Sequence, residues 1–289
     1  MAVVDRAWHG YKGELTPERW RFLVLPRFAW GDLFRSRILT AYYGLCCLVP
    51  LVFAVLIYLR YNLGALAFLG IQAENLERSL PIDGRFFALF LAVQTGMGFV
   101  FSAFIGPALV APDLAHNALP LYFGRPFSRS EYVIGKFSSL AILLSAITWV
   151  PGLLLFGLQS FMAGAGWGIA NLRFAGAMLA GGLLWVLVTS LLALAISAWI
   201  RWRPVATALL FGISAVGAGI GAAVWGIFRT SWGFLLSPGM LLRIVGADLF
   251  GVPLPERLPV WAAWMGLLGF ATISLILLSR RVRATEVVR

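Results

Sequence analysis

Apolar residues run along this chain in long, nearly unbroken stretches, and the charged residues fall between them. Six stretches stand out: Ile38 to Leu59, Phe86 to Ala111, Phe137 to Met162, Phe174 to Ile200, Val205 to Ile227 and Val260 to Leu278. About 20 apolar residues in a helix rising 1.5 Å per residue cross a hydrocarbon core of about 30 Å. The pattern therefore predicts an all-α integral membrane protein with about six transmembrane helices. The fourth and fifth stretches are separated only by Arg201-Trp202-Arg203-Pro204, a basic, helix-breaking tetrad that predicts a tight hairpin.

Two segments outside the stretches are neither solvated loop nor span. Residues 15–37 mix Trp20, Phe22, Phe28, Trp30 and Phe34 with Arg19, Arg21, Arg27, Arg35 and Arg37. They are too polar to cross a membrane and suited to its headgroup layer, which predicts an interfacial amphipathic helix. Thr16-Pro17 marks its start, and Pro26 is expected to break it partway. Residues 228–259 stay apolar in pieces too short to cross, predicting short re-entrant helices before the last span. The organisation is thus a 1–37 N-terminal region and a 38–289 six-helix transmembrane domain, with an inner loop at 112–131 and an outer loop at 228–259.

Composition agrees: 61% of the 289 residues are hydrophobic and 12% charged, where a soluble domain carries about 25% charged residues. The net charge of +11 raises nucleic acid as a partner, but the basic residues flank apolar spans, the placement that membrane lipids favour. Of the 23 Lys and Arg, 16 fall on the side shared by both termini and 7 on the other. Positively charged flanks are retained in the cytoplasm, so both termini are expected inside. The chain lacks the short basic lead and cleavage site of a secretory signal, and Cys46 and Cys47 read as packing residues.

None of the six stretches contains Asp, Glu, Lys, Arg or His. Such a group at the membrane centre costs roughly 3 kcal/mol on insertion scales and usually marks function, so no ion-coupling relay is evident. His9 and His116 lie outside the spans, which disfavours a haem held between helices. Gln94, Thr95, Ser102, Ser145, Thr148, Thr189 and Ser190 read first as interhelical hydrogen-bonding groups and second as pathway lining. The small residues of Gly212 to Ala222 suit close helix contact, within the subunit or across a dimer.

The segment between the second and third spans carries the densest local signals. Ser128-Arg-Ser-Glu131 is a capping box that predicts the start of the third helix. Gly124-Arg125-Pro126 predicts a turn before it, leaving Asp113 to Phe123 as a short amphipathic element. Asp113, Ala118-Leu119 and the run Arg125-Pro-Phe-Ser-Arg-Ser-Glu-Tyr-Val-Ile-Gly-Lys136 resemble the corresponding loop of ABC-2 type transporter permeases. The basic aromatic lead-in, the six spans, the Arg201–Pro204 break, the apolar last outer loop and the basic tail Arg281–Arg289 are similar to that family too. One departure is Leu114-Ala-His116, where many members are more acidic.

The resemblance implies a permease subunit of a bacterial inner-membrane exporter that pairs with a second copy or paralogue and docks on a separate cytosolic ABC ATPase. It implies an ATPase-coupling role for Asp113, His116, Asn117, Leu119, Tyr122, Arg125 and Arg129. Pro126, Ser128 and Glu131 are explained by ending and capping helices. ATP and Mg would be bound by the partner, and no enzymatic activity is expected of this chain. It has no G-x-x-x-x-G-K-[ST] loop, and its Gly135-Lys136 is followed by Phe137. The alternatives are a non-transporting scaffold or accessory subunit, and an intramembrane enzyme. The latter would have to gather outer charges such as Glu74, Glu77, Asp83, Asp248 and Glu256. The substrate is not legible in this pattern.

Overall fold

The computed structural model describes residues 18–62, 81–116, 118–123, 128–200, 202–254 and 258–281. Among these residues every regular element is helical. A 3-10 turn (Glu18–Leu23) leads into α1 (Val24–Leu33), followed by α2 (Arg37–Tyr61), α3 (Gly84–Ala115), α4 (Leu119–Phe123), α5 (Arg129–Ile147) and α6 (Trp149–Ala163). Then come α7 (Ala165–Ala170), α8 (Leu172–Trp199), α9 (Arg203–Phe228), a second 3-10 turn (Ser231–Leu236), α10 (Pro238–Phe250) and α11 (Val260–Arg281). Six helical stretches, with α5 and α6 counted as one, are long and apolar enough to span a bilayer, as a multi-pass membrane protein requires.

Polar caps set the helix starts. The Ser36 hydroxyl accepts from the Leu39 amide, and Asp83 accepts from the amides of Arg85 and Phe86 at 2.8 and 3.2 Å. Ser237 caps α10, with Pro238 in the first turn, where a missing N–H costs nothing. The Ser128–Glu131 capping box is present at the start of α5.

The centre of the bundle is α8, whose most apolar stretch is 72% buried in protein, against 17–22% for α2, α9 and α11. It packs on α3, α5, α6, α10 and α11, while α2, α9 and α11 leave large apolar side chains such as Leu51, Val216 and Ile273 exposed. A lipid-facing helix has no need to bury these residues.

One expectation needs correction and two gain detail. The third apolar stretch is divided at Thr148 (φ −108°, ψ −95°), whose hydroxyl donates to the Leu144 carbonyl at 2.7 Å. Pro151, three residues on, supplies no N–H to the preceding turn, so the helix yields there. The second helix does not end at Ala111 but continues through Pro112 to Ala115, bringing Asp113 into its last turn. Pro26 sits in the first turn of α1, where the segment passes from the 3-10 turn Glu18–Leu23 into α-helix. Thr16, Pro17 and the Gly124–Pro126 turn lie outside the described residues.

α1 lies against α5. The Trp30 indole N–H donates to the Ser139 carbonyl at 2.9 Å, and Gly135 lets Leu25 and the Phe22 carbonyl approach its Cα. Its other face exposes Phe28, as the preceding turn exposes Trp20. At the far end, Arg173 donates to the carbonyls of Asp248 and Leu249 at 2.7 and 3.0 Å, fastening the start of α8 to the end of α10. The 3-10 turn folds back on α9, where Gly217 and Gly221 admit the Leu236 carbonyl and the Phe234 ring.

Candidate functional site

Two regions at opposite ends of α3 concentrate the chemistry of this bundle. The first is the connection between α3 and α5. Tyr132 and Lys136 are one helical turn apart on α5, so both present to the same neighbour. That neighbour is Asp113. Its Oδ2 accepts from the Tyr132 hydroxyl at 2.7 Å and faces the Lys136 Nζ, also at 2.7 Å.

The two charged side chains are only 11% and 15% exposed, and Tyr132 is fully buried. Withdrawing such charges from water costs several kcal/mol each, and mutual attraction offsets this only where further hydrogen bonds complete the pair. The Tyr132 hydroxyl is that further bond, and its ring lies 5.5 Å beneath the Lys136 ammonium. The node therefore holds α3 and α5 in one register.

The short helix α4 rests on this node. The Tyr122 ring packs against Tyr132 at 5.4 Å between centroids, and Leu119 is buried in the core. Burial and the nearby Asp113 charge push the Tyr122 hydroxyl above its ordinary pKa, keeping it protonated. The Ala118 amide donates back to the Asp113 carbonyl at 2.8 Å, so the chain turns sharply out of α3.

The seven residues assigned to coupling thus divide. Asp113, Leu119 and Tyr122 face inward and shape the connection, whereas His116 and Arg129 are exposed on its surface. Asn117 and Arg125 lie outside the described residues. Tyr132 and Lys136 were not singled out, although a lone Lys entering an apolar run requires an acidic partner, and Asp113 is an acid at the same level.

The second region is a cavity of about 630 Å³ between α3, α8, α9 and α10. One helix face from each long wall lines it: Arg85, Leu89, Ala92 and Phe99 on α3, and Leu184 and Val188 on α8. Arg85 stands in the first turn of α3, about 42 Å of helix from Asp113 at 1.5 Å per residue. Of the polar residues noted in the sequence, Thr95 and Thr189 line this space.

Gln94 is buried instead against α2, its amide donating to the Cys46 carbonyl at 2.7 Å. Ser197, buried at the other end of α8, accepts from the Ala111 amide and donates to the Pro107 carbonyl, at 3.0 and 3.2 Å. It engages donor and acceptor of one helical step in a Pro-interrupted turn, a known route to a helix bend. Among the described residues no group of three or more His, Cys, Asp or Glu is placed to hold a metal ion. No protein-family model matches the chain, and a search of curated proteins returns no match.

Proposed function

We propose that this chain is the membrane-spanning permease subunit of an ABC-2 type exporter, powered by a separate cytosolic ATPase. The observation that carries the reading is the α3–α5 connection. A short helix, α4, is seated on a buried ion pair that belongs to both long helices. Load applied to α4 by a partner is transmitted to α3 and α5 together, because shifting one helix alone would separate Asp113 from Lys136. One of those helices, α3, lines the cavity at its other end.

The remaining assignments follow from the same reading. His116 and Arg129 meet the ATPase, both termini lie in the cytoplasm, and α1 rests in the inner headgroup layer of a bacterial plasma membrane. The 3-10 turn and α10 dip into the outer leaflet, and a second copy or paralogue completes the transporter. ATP and Mg are held by the partner.

The test is gentle purification of the tagged chain in detergent, with mass spectrometry of what accompanies it and an assay of ATP hydrolysis. Recovery of a nucleotide-binding protein with vanadate-sensitive hydrolysis supports the reading. Recovery of an unrelated assembly without hydrolysis replaces it with an accessory-subunit role.

A further inference from the structure

The later part of α3 cannot close all of its own hydrogen bonds. Pro107 has no N–H to give the Ala103 carbonyl one turn back, and Pro112 has none for the Ala108 carbonyl. In a bilayer a freed backbone carbonyl finds no water and has to be met by a neighbouring side chain. The Thr207 hydroxyl of α9 meets the first, donating to the Ala103 carbonyl at 2.8 Å. One step on, the Ser197 hydroxyl of α8 takes the Ala111 amide and gives to the Pro107 carbonyl. A proline and an inserted side chain are each a cause of helix kinks, and both act between Ala103 and Ala111.

The two hydroxyls belong to one hairpin. Ser197 stands in the last turn of α8, which ends at Trp199, and Thr207 stands early in α9, which starts at Arg203. The hairpin is braced on α11, where the Trp199 indole N–H donates to the Leu277 carbonyl at 3.2 Å and the Arg281 guanidinium lies over the Trp199 ring. Gly106 lets α8 close on α3: a Cβ there would come within 2.6 Å of the Ala193 Cβ. Ser197, Ala103, Pro107 and Ala111 are buried, so water does not compete for these bonds.

Pro107 lies between the two regions that carry the chemistry of α3. At 1.5 Å per residue it is about 12 Å from Phe99 on the cavity wall and about 9 Å from Asp113 in the ion pair. We infer that α3 hinges between Ala103 and Ala111, and that the Ser197 and Thr207 hydroxyls form a clasp that sets the hinge. With the clasp made, α3 moves as one piece. With it broken, the segment carrying Asp113 turns independently of the segment that lines the cavity. That an ATPase works this hinge rests on the permease reading above; the hinge and its clasp do not.

The experiment uses the full chain with Cys46→Ala/Cys47→Ala, spin-labelled through Leu89→Cys and Ala115→Cys. Both positions are exposed and lie near opposite ends of α3, about 39 Å apart along a straight helix. Double electron–electron resonance in phospholipid nanodiscs compares the intact clasp with Thr207→Val, Ser197→Ala/Thr207→Val and the conservative Thr207→Ser, each with and without Pro107→Ala. Ser279→Ala, which removes a hydroxyl bonded within α11, is the control. The distance distribution should be narrow for the intact clasp, Thr207→Ser and the control, and should broaden or split in Thr207→Val and further in the double variant. Pro107→Ala restores an amide for the Ala103 carbonyl, so in that background the clasp variants should stay narrow. Thr207→Val should also lower the folding constant in mixed micelles about threefold, the worth of an average interhelical hydrogen bond in a membrane, and have no such effect beside Pro107→Ala.

Distributions that stay narrow in both clasp variants, or that broaden equally with and without Pro107→Ala, would overturn the hinge. Thr207→Val alone carries the same comparison should the double variant fail to insert. If the distances respond as stated while no ATPase accompanies the chain, the permease reading alone falls. If an ATPase accompanies it while the distances ignore the clasp, the hinge alone falls.

Discussion

Replacing Lys136 by Met removes a charge that the fold has buried and leaves its partner behind. Asp113 keeps the Tyr132 hydroxyl at 2.7 Å but loses the ammonium at the same distance, and its side chain remains only 15% exposed. Breaking a buried pair from one side costs about 3–5 kcal/mol, and the residual exposure of both groups places this variant near 3 kcal/mol. Asp113→Leu alone leaves Lys136 stranded and should cost a similar amount, whereas Asp113→Leu/Lys136→Met leaves no unpaired charge. The double variant should be less destabilised than the two single effects added together, by about 2 kcal/mol or more. The assay is reversible unfolding in mixed micelles, followed by helical circular dichroism, for all four proteins of the cycle. Single variants within about 0.5 kcal/mol of wild type, or strictly additive effects, would refute the claim that this pair fastens α3 to α5.

Other positions offer independent checks. Gly217→Ala drives a methyl into the Leu236 carbonyl oxygen, with the Leu236 carbonyl carbon at 2.9 Å and the Ser237 Cα at 3.1 Å. Backbone has to shift, so a loss of about 1–3 kcal/mol is expected in the same unfolding assay, against little change for Gly212→Ala, which faces open space. Ser128→Ala removes the hydroxyl that caps the Glu131 amide and should cost about 1 kcal/mol, with Ser128→Asp restoring most of it. A single cysteine added after Arg289 in a Cys46→Ala/Cys47→Ala background should react with an impermeant maleimide only when the cytoplasmic side is opened. Labelling in intact cells would invert the orientation.

The six membrane-length helices were legible because lipid demands length and apolarity, and both are written in composition. Helix starts at Ser36, Ser128 and Ser237 have a side chain that can cap. What the pattern hid depends on pairing between distant helices. Spans drawn to stop at charge necessarily excluded Asp113 and Lys136, the two residues that meet across 23 positions of sequence. The break at Thr148 was masked by uninterrupted apolarity: Pro151 was visible, yet a span containing proline often continues, as α2 does through Pro50. Of the coupling residues, sequence could say which lie in the connection but not which face outward. That is decided by the packing of Tyr122 on Tyr132 and the burial of Leu119, which leave His116 and Arg129 at the surface. The cavity was beyond reach for a similar reason: nothing in the sequence brings Gly96, Gly239 and Gly246, which meet no atom within 4 Å of an added Cβ, to one space.

The central claim is that an ATPase drives this bundle through the α3–α5 connection. It is tested most directly by placing a photocrosslinking amino acid at His116, which is exposed beside α4, and separately at Trp232 in the 3-10 turn near the opposite end. After irradiation in intact cells, the account predicts an adduct between the His116 variant and a nucleotide-binding protein, and none from Trp232. An ATPase adduct from Trp232, or its absence at His116 while the variant is folded and inserted, would contradict it.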